Sequence, residues 1–194
     1  MNRLIPLLLV LFAACAHAPA AAPAISAEQQ FRDLETKLLA MQTLDVRFDI
    51  TSGGAMASAV KGALHIDGDE VKLDADGHVG ESKQDARVSR SGHPAVRRAV
   101  ILGMIRMGIL HNLASVMLMN QGIDTRVASG DWVTVGNVAA DPADGHLSFD
   151  VLVEGQKAGA GELWLGAGGL PKRRHQTVQF PNGTLIVDER YQWP

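Results

Sequence analysis

Seven histidines, one cysteine and a methionine-rich apolar run are the residues of this 194-residue chain with the most chemical potential. The histidines do not combine. His17, His65, His78, His93, His111, His146 and His175 include no pair three or four apart, the spacing that brings two ligands to one helix face. Asp67-Gly68-Asp69 and Asp74-Ala75-Asp76-Gly77 lack the oxygen spacing and the closing glutamate of a calcium loop, so they read as turns. There is no nucleophile elbow, Walker loop or Cys-x-x-Cys pair. The glycines of Gly166-Ala167-Gly168-Gly169 run into Leu170-Pro171 and a strand, which leaves no helix start to hold phosphate. The expectation is a protein that is not an enzyme and has no metal and no cofactor.

Cys15 has a different use. A basic Arg3 precedes an apolar run from Leu4 to Phe12, the shape of a secretory leader and too short to span a bilayer. Small residues then lead into the cysteine, as in Leu11-Phe12-Ala13-Ala14-Cys15, which reads as a lipoprotein cleavage box with Cys15 as the acylated first residue. Ordinary cleavage after Ala18 or Ala22 places proline next to the cut, which ordinary signal peptidase disfavours. As the only cysteine, Cys15 has no disulfide partner within the chain. Several acyl chains, each buried CH₂ contributing about 0.8 kcal/mol, make an effectively permanent anchor. The expected organisation is a leader at 1–14, a lipidated Ala/Pro-rich tether at 15–25, and one domain at 26–194. Residue 16 is alanine rather than the aspartate that retains enteric lipoproteins in the inner membrane, so the expected location is the outer membrane, periplasmic face. With 18 basic against 21 acidic residues, the net charge is −3, which gives no footprint for nucleic acid.

The third feature is the stretch from His93 to Gly122, which holds Met104, Met107, Met117 and Met119 among apolar neighbours. Methionine is unbranched and polarisable and suits a surface that moulds to an apolar ligand, or equally one that fills an irregular core. Met104, Met107, Leu110, Leu113 and Met117 are the candidate acyl-chain lining. Arg97 and Arg106 are the candidate head-group residues, since guanidinium binds phosphate or carboxylate bidentately. The same arginines could instead be solvated or paired with acids on neighbouring strands. An arginine at mid-bilayer costs about 2.5–3.5 kcal/mol, which argues against a transmembrane reading.

These residues need a frame. Ser26 and Gln29 form a capping-box pattern, and Phe31, Leu34, Leu38 and Met41 recur at helical spacing, predicting a helix over 27–41. The period then drops to two. Leu44, Val46, Phe48 and Ile50 alternate with polar residues, as do Val60 to Ile66 and Val71 to Ala75, with a weaker fourth strand around Ala86 and Val88. The stretch 94–120 reads as helix with break points at Gly108 and Asn112. Further strands are expected at 123–128, 132–138, 146–154, 159–165, 173–180 and 184–192. One-sided strands need a cover. The expected fold class is therefore α+β: a curved antiparallel sheet forming an incomplete (half) β-barrel, with helices plugging its concave face.

This order of elements resembles the LolA/LolB-like lipoprotein-localisation superfamily, which includes mycobacterial lipid-binding lipoproteins. The matching segments are "LETKLLAMQTLDVRFDIT", a helix running into a first strand, "VKGALHIDGDEVKLDADG", a strand pair, and "GELWLGAGGLPKRRHQTVQF", two strands joined by a Gly-Leu-Pro turn. The resemblance covers roughly residues 26–193 and implies a half-barrel whose cavity takes acyl chains. The implied partners are lipid or acyl chains, the membrane through Cys15, and other lipoproteins. The acylated cysteine sets the chain nearer the receptor and mycobacterial members than the soluble carrier. Receptor-like members project an apolar residue from a loop between early strands, and the corresponding loop, Asp76 to Lys83, offers Val79 as the membrane-contact residue. The alternative is a structural lipoprotein with a filled core that acts through a protein partner in the cell envelope.

Overall fold

The computed structural model describes residues 25–90, 94–112 and 131–194. The leader, Cys15, the tether up to residue 24, Leu113, Met117 and the strand expected at 123–128 lie outside the described residues. Helix α1 (Ala27–Ala40) starts at its sequence signal: the Ser26 side chain accepts the Gln29 N–H at 3.2 Å. Phe31, Leu34 and Leu38 are its buried stripe.

Nine strands form one antiparallel sheet among the described residues. They are β1 (Thr43–Gly54), β2 (Ser58–Asp67), β3 (Glu70–Val79), β4 (Ser82–Arg90), β5 (Val133–Ala140), β6 (Leu147–Val153), β7 (Gln156–Leu165), β8 (Pro171–Phe180) and β9 (Gly183–Gln192). Their spatial order is β4-β3-β2-β1-β9-β8-β7-β6-β5. The first and last strands therefore meet in the middle, with Phe48 opposite Tyr191. Among the described residues β4 and β5 are the two edges, and the sheet is an open half-barrel rather than a closed barrel. Alternation fixes which face turns inward: Leu44, Val46, Phe48 and Ile50 on β1, Leu147, Phe149 and Val151 on β6, and Leu185 and Val187 on β9 are all buried.

The expected loop at Asp76 to Lys83 is corrected. β3 runs on through Val79, β4 resumes at Ser82, and only Gly80 and Glu81 make the turn. The Asp-Ala-Asp-Gly run looks like a turn, but Gly77 lets the strands close up: a Cβ there would sit 2.0 Å from the Ala59 carbonyl oxygen. Val79 is thus a half-buried strand residue, paired with Ser58 and Ser82.

Helix α2 (Pro94–Met107) is shorter than the expected 94–120 segment. Ala99 to Ile105 are all buried, as an apolar helix laid in a concave face should be. Its polar residues bind it to its surroundings. Arg97 donates to the Leu39 carbonyl at 3.0 Å and to the Met41 carbonyl, supplying donors to the last turn of α1. Arg106 Nε donates to Glu35 at 2.6 Å and its Nη1 to the Val133 carbonyl at 2.9 Å, linking both helices and edge strand β5. Arg97→Met keeps the alkyl stem and removes both donors. It should lower unfolding free energy by about 1–3 kcal/mol in urea titrations, and a change below about 0.5 kcal/mol would contradict the capping role.

Candidate functional site

The structure departs from regularity where α2 ends. Gly108 breaks the helix at φ +83°, and residues 109–112 then resume helical geometry. A break leaves two sets of unpaired backbone groups: carbonyls at the end of α2 and N–H groups at the start of the next turn. Both sets are answered by the sheet. Arg174 of β8 donates to the Ile105 and Arg106 carbonyls at 2.6 and 2.7 Å. Glu189 of β9 accepts the Ile109 and Leu110 N–H groups at 2.8 and 2.9 Å. The signs match the helix dipoles: a cation at the C-terminal end and an anion at the N-terminal end.

Arg174 and Glu189 are direct neighbours in the β8–β9 ladder and both are 0% exposed. No ion pair joins them directly. Gln176 receives Arg174 Nε and Nη2 at 2.8 and 2.6 Å, and the Tyr191 hydroxyl donates to Glu189. Burial pushes the Tyr191 phenol up, with the Glu189 charge adding to the effect, and burial pulls the Arg174 guanidinium down from its ordinary value. Two glycines give the cluster room. A Cβ on Gly161 would lie 2.8 Å from the Phe149 ring and 3.2 Å from Arg174 Nη2. A Cβ on Gly108 would lie 2.7 Å from Glu189 Oε1.

His111 follows the break and is largely enclosed. Neither ring nitrogen has a hydrogen-bond partner that meets normal geometry. Burial and then the nearby Arg174 cation lower its pKa to about 4, against a weaker pull from the Met107 carbonyl. It is therefore neutral at pH 7. Asn112 turns back onto α2, donating to the Val100 carbonyl at 2.9 Å over the bare surface of Gly103.

Of the sequence candidates, Met104, Met107 and Leu110 come together in the core beneath α1 and the sheet, at 2%, 8% and 8% exposure. They line neither of the two hollows that follow. One hollow, about 540 Å³, lies at Asp45, Arg47, His65 and Trp193, and a smaller slot lies between α1 and β5. The guanidinium groups of Arg97 and Arg106 are engaged with protein partners. Sequence reading missed Arg174, Gln176 and Glu189, although a signal was present: Glu189 is in phase with Leu185, Val187 and Tyr191. It also missed Asp141, Asp144 and His146, whose ligand atoms lie within 4.8 Å of one another at the β5–β6 turn. That carboxylate is already occupied: Asp144 accepts from His146 Nδ1 at 2.5 Å and from Trp164 Nε1 at 2.9 Å, and its pKa falls to about 2, chiefly through the His146 hydrogen bond. His146 stacks on Trp164 at 4.7 Å and Arg173 lies 4.6 Å from the same ring, so the indole is enclosed by this chain's own side chains.

No family model matches the chain, and no curated protein matches it. Among solved structures it is similar to a LolA superfamily protein from Nitrosomonas europaea, at 9% identity over 87% of this chain and 92% of that one, with a TM-score of 0.25. A superposition that loose carries no argument about activity. Among the described residues, no helix is long and apolar enough to cross a membrane.

Gly108→Ala forces a side chain into left-handed backbone and onto Glu189. It should cost about 2–4 kcal/mol in urea unfolding, and a loss under about 0.5 kcal/mol would mean that the break is not clamped.

His111 makes a separate prediction. Its folded pKa lies below the unfolded value, so stability present above about pH 6.5 is lost as pH falls toward 4, with an upper bound of about 3 kcal/mol. His111→Phe should remove that loss. The check is unfolding of both proteins at pH 7.5 and about pH 4, where equal pH dependence in the two would disprove it.

Proposed function

We propose that this chain is a cell-envelope lipoprotein of the lipoprotein-localisation type. Acylated Cys15 holds it in the outer membrane at the periplasmic face, and the core beneath α2 opens to take lipid or acyl chains, including those of other lipoproteins. The observation that carries the reading is the clamped break at Gly108. Beside the apolar packing of α2, the sheet buries Arg174 and Glu189 to grip its broken end. Polar grips have one geometry and let go together when it is lost, whereas apolar packing yields gradually. That suits a cover that moves as a unit and exposes Met104, Met107 and Leu110 to an incoming chain. Val79, at the end of β3, is the proposed membrane-contact residue. The donors that Arg97 and Arg106 commit inside the protein weigh against the head-group role expected of them.

The second reading is a structural lipoprotein with a filled core and a protein partner. It is favoured by one observation: Met104, Met107 and Leu110 sit in packed core. Binding of a fluorescent fatty acid separates the two. The wild-type chain should bind the probe, and Glu189→Gln, which loosens the clamp, should tighten apparent binding about threefold or more while lowering stability, because less free energy is needed to open the cover. No probe binding by either form would favour the structural reading. Labelling with radioactive palmitate tests the anchor independently: wild type should label and Cys15→Ala should not, and an unlabelled wild type would overturn it.

A further inference from the structure

Edge strand β5 does not run straight. Its pairing with β6 shifts between Gly136 and Ala139, and Asn137 sits at φ +51°. Such a bulge re-aims side chains. Here it leaves Val135 and Val138, three residues apart, both packed toward the core. Between them and α1 lies a slot of about 190 Å³. Phe31 lines it and is buried, and its ring meets Phe149 of the core edge-on at 4.9 Å.

The walls carry charges of both signs in balance. Deep in the slot, Glu35 and Arg106 neutralise each other at 2.6 Å, with side chains 15% and 12% exposed. At the mouth, Glu28 and Arg32 lie one helical turn apart on α1. Both are exposed, and neither side chain has a partner among the described residues. A singly charged head group would meet one attractive and one repulsive charge here, and a neutral one would meet neither usefully. A head group with both signs a few ångströms apart satisfies both.

Given the acyl-binding reading, we propose that this slot is the portal for a single-chain zwitterionic amphiphile. Glu28 receives the cationic group, Arg32 the anionic group, and the chain passes Val135 and Val138 by displacing the Phe31 ring. Phosphocholine-type and amino-acid-type head groups share this chemistry.

Calorimetry on the purified full chain, with dodecyl amphiphiles below their micelle concentrations, tests it. Dodecylphosphocholine should bind at least about fivefold tighter than dodecyl sulfate, dodecyltrimethylammonium or dodecyl maltoside. Val135→Trp, which fills the slot, should weaken that binding about tenfold in protein that still shows a cooperative melting transition. Arg32→Glu should shift the preference to dodecyltrimethylammonium, and Glu28→Lys to dodecyl sulfate. Because those two residues are exposed on α1, they decide the matter even if Val135→Trp does not fold. Dodecyl binding with no head-group preference, or unaltered in a folded Val135→Trp, overturns the portal and leaves the acyl-binding reading standing. No binding of any dodecyl amphiphile overturns both.

Discussion

Two opposite charges buried side by side in the sheet govern this structure. Arg174 and Glu189 stand opposite each other on β8 and β9, yet each reaches away from the other to a helix end. Burying a charge without compensation costs several kcal/mol, so neither position would be tolerated over a continuous helix. The break at Gly108 supplies the compensation, and the charges in turn satisfy backbone groups that the break leaves unpaired. Helix break and charged strand residues thus require each other. Gly161, Gly108, Gln176 and Tyr191 all follow from that requirement, as space or as hydrogen-bond partners.

The rest of the inner face is ordinary apolar packing. α1 closes over β5, with Phe31 against Phe149, and α2 fills the middle. The two kinds of contact differ in how they respond to disturbance. Apolar contacts are non-directional and survive small displacements, whereas a two-ended clamp of charge-assisted hydrogen bonds depends on distance and angle. The clamp therefore fixes the position of α2 more sharply than the apolar core around it does.

The outer face works by different rules. Asp49 with Lys61, Asp188 with Arg173, and Asp150 with Lys157 are exposed or partly exposed cross-strand pairs. Each contributes little to stability in water. Their effect is on specificity: they keep one face of the sheet polar, and the bulge at Asn137 interrupts the pairing of β5 with β6.

The sheet was legible in the sequence because a period of two in apolar residues is a local pattern that any half-buried strand must show. The α1 start was legible through Ser26 and Gln29, and the α2 break through Gly108, since each is set by backbone chemistry within a few residues. The strand continuing through Gly77 to Val79 was not, because the gap that accepts a glycine there is made by Ala59 on another strand. Nor were the roles of the arginines. Arg97 and Arg106 have the composition of head-group ligands, and only the fold brings the α1 carbonyls, Glu35 and Val133 to them. Glu189 lies in phase with an apolar stripe, which marks it from sequence as a charge turned inward. What it meets lies about 80 residues away along the chain, and a local pattern holds no information about that. Sequence determined the elements and which face of each is apolar. Tertiary structure decided which charges are paired, which helix ends are capped, and where the slot between α1 and β5 opens, because those depend on contacts between residues distant in the chain.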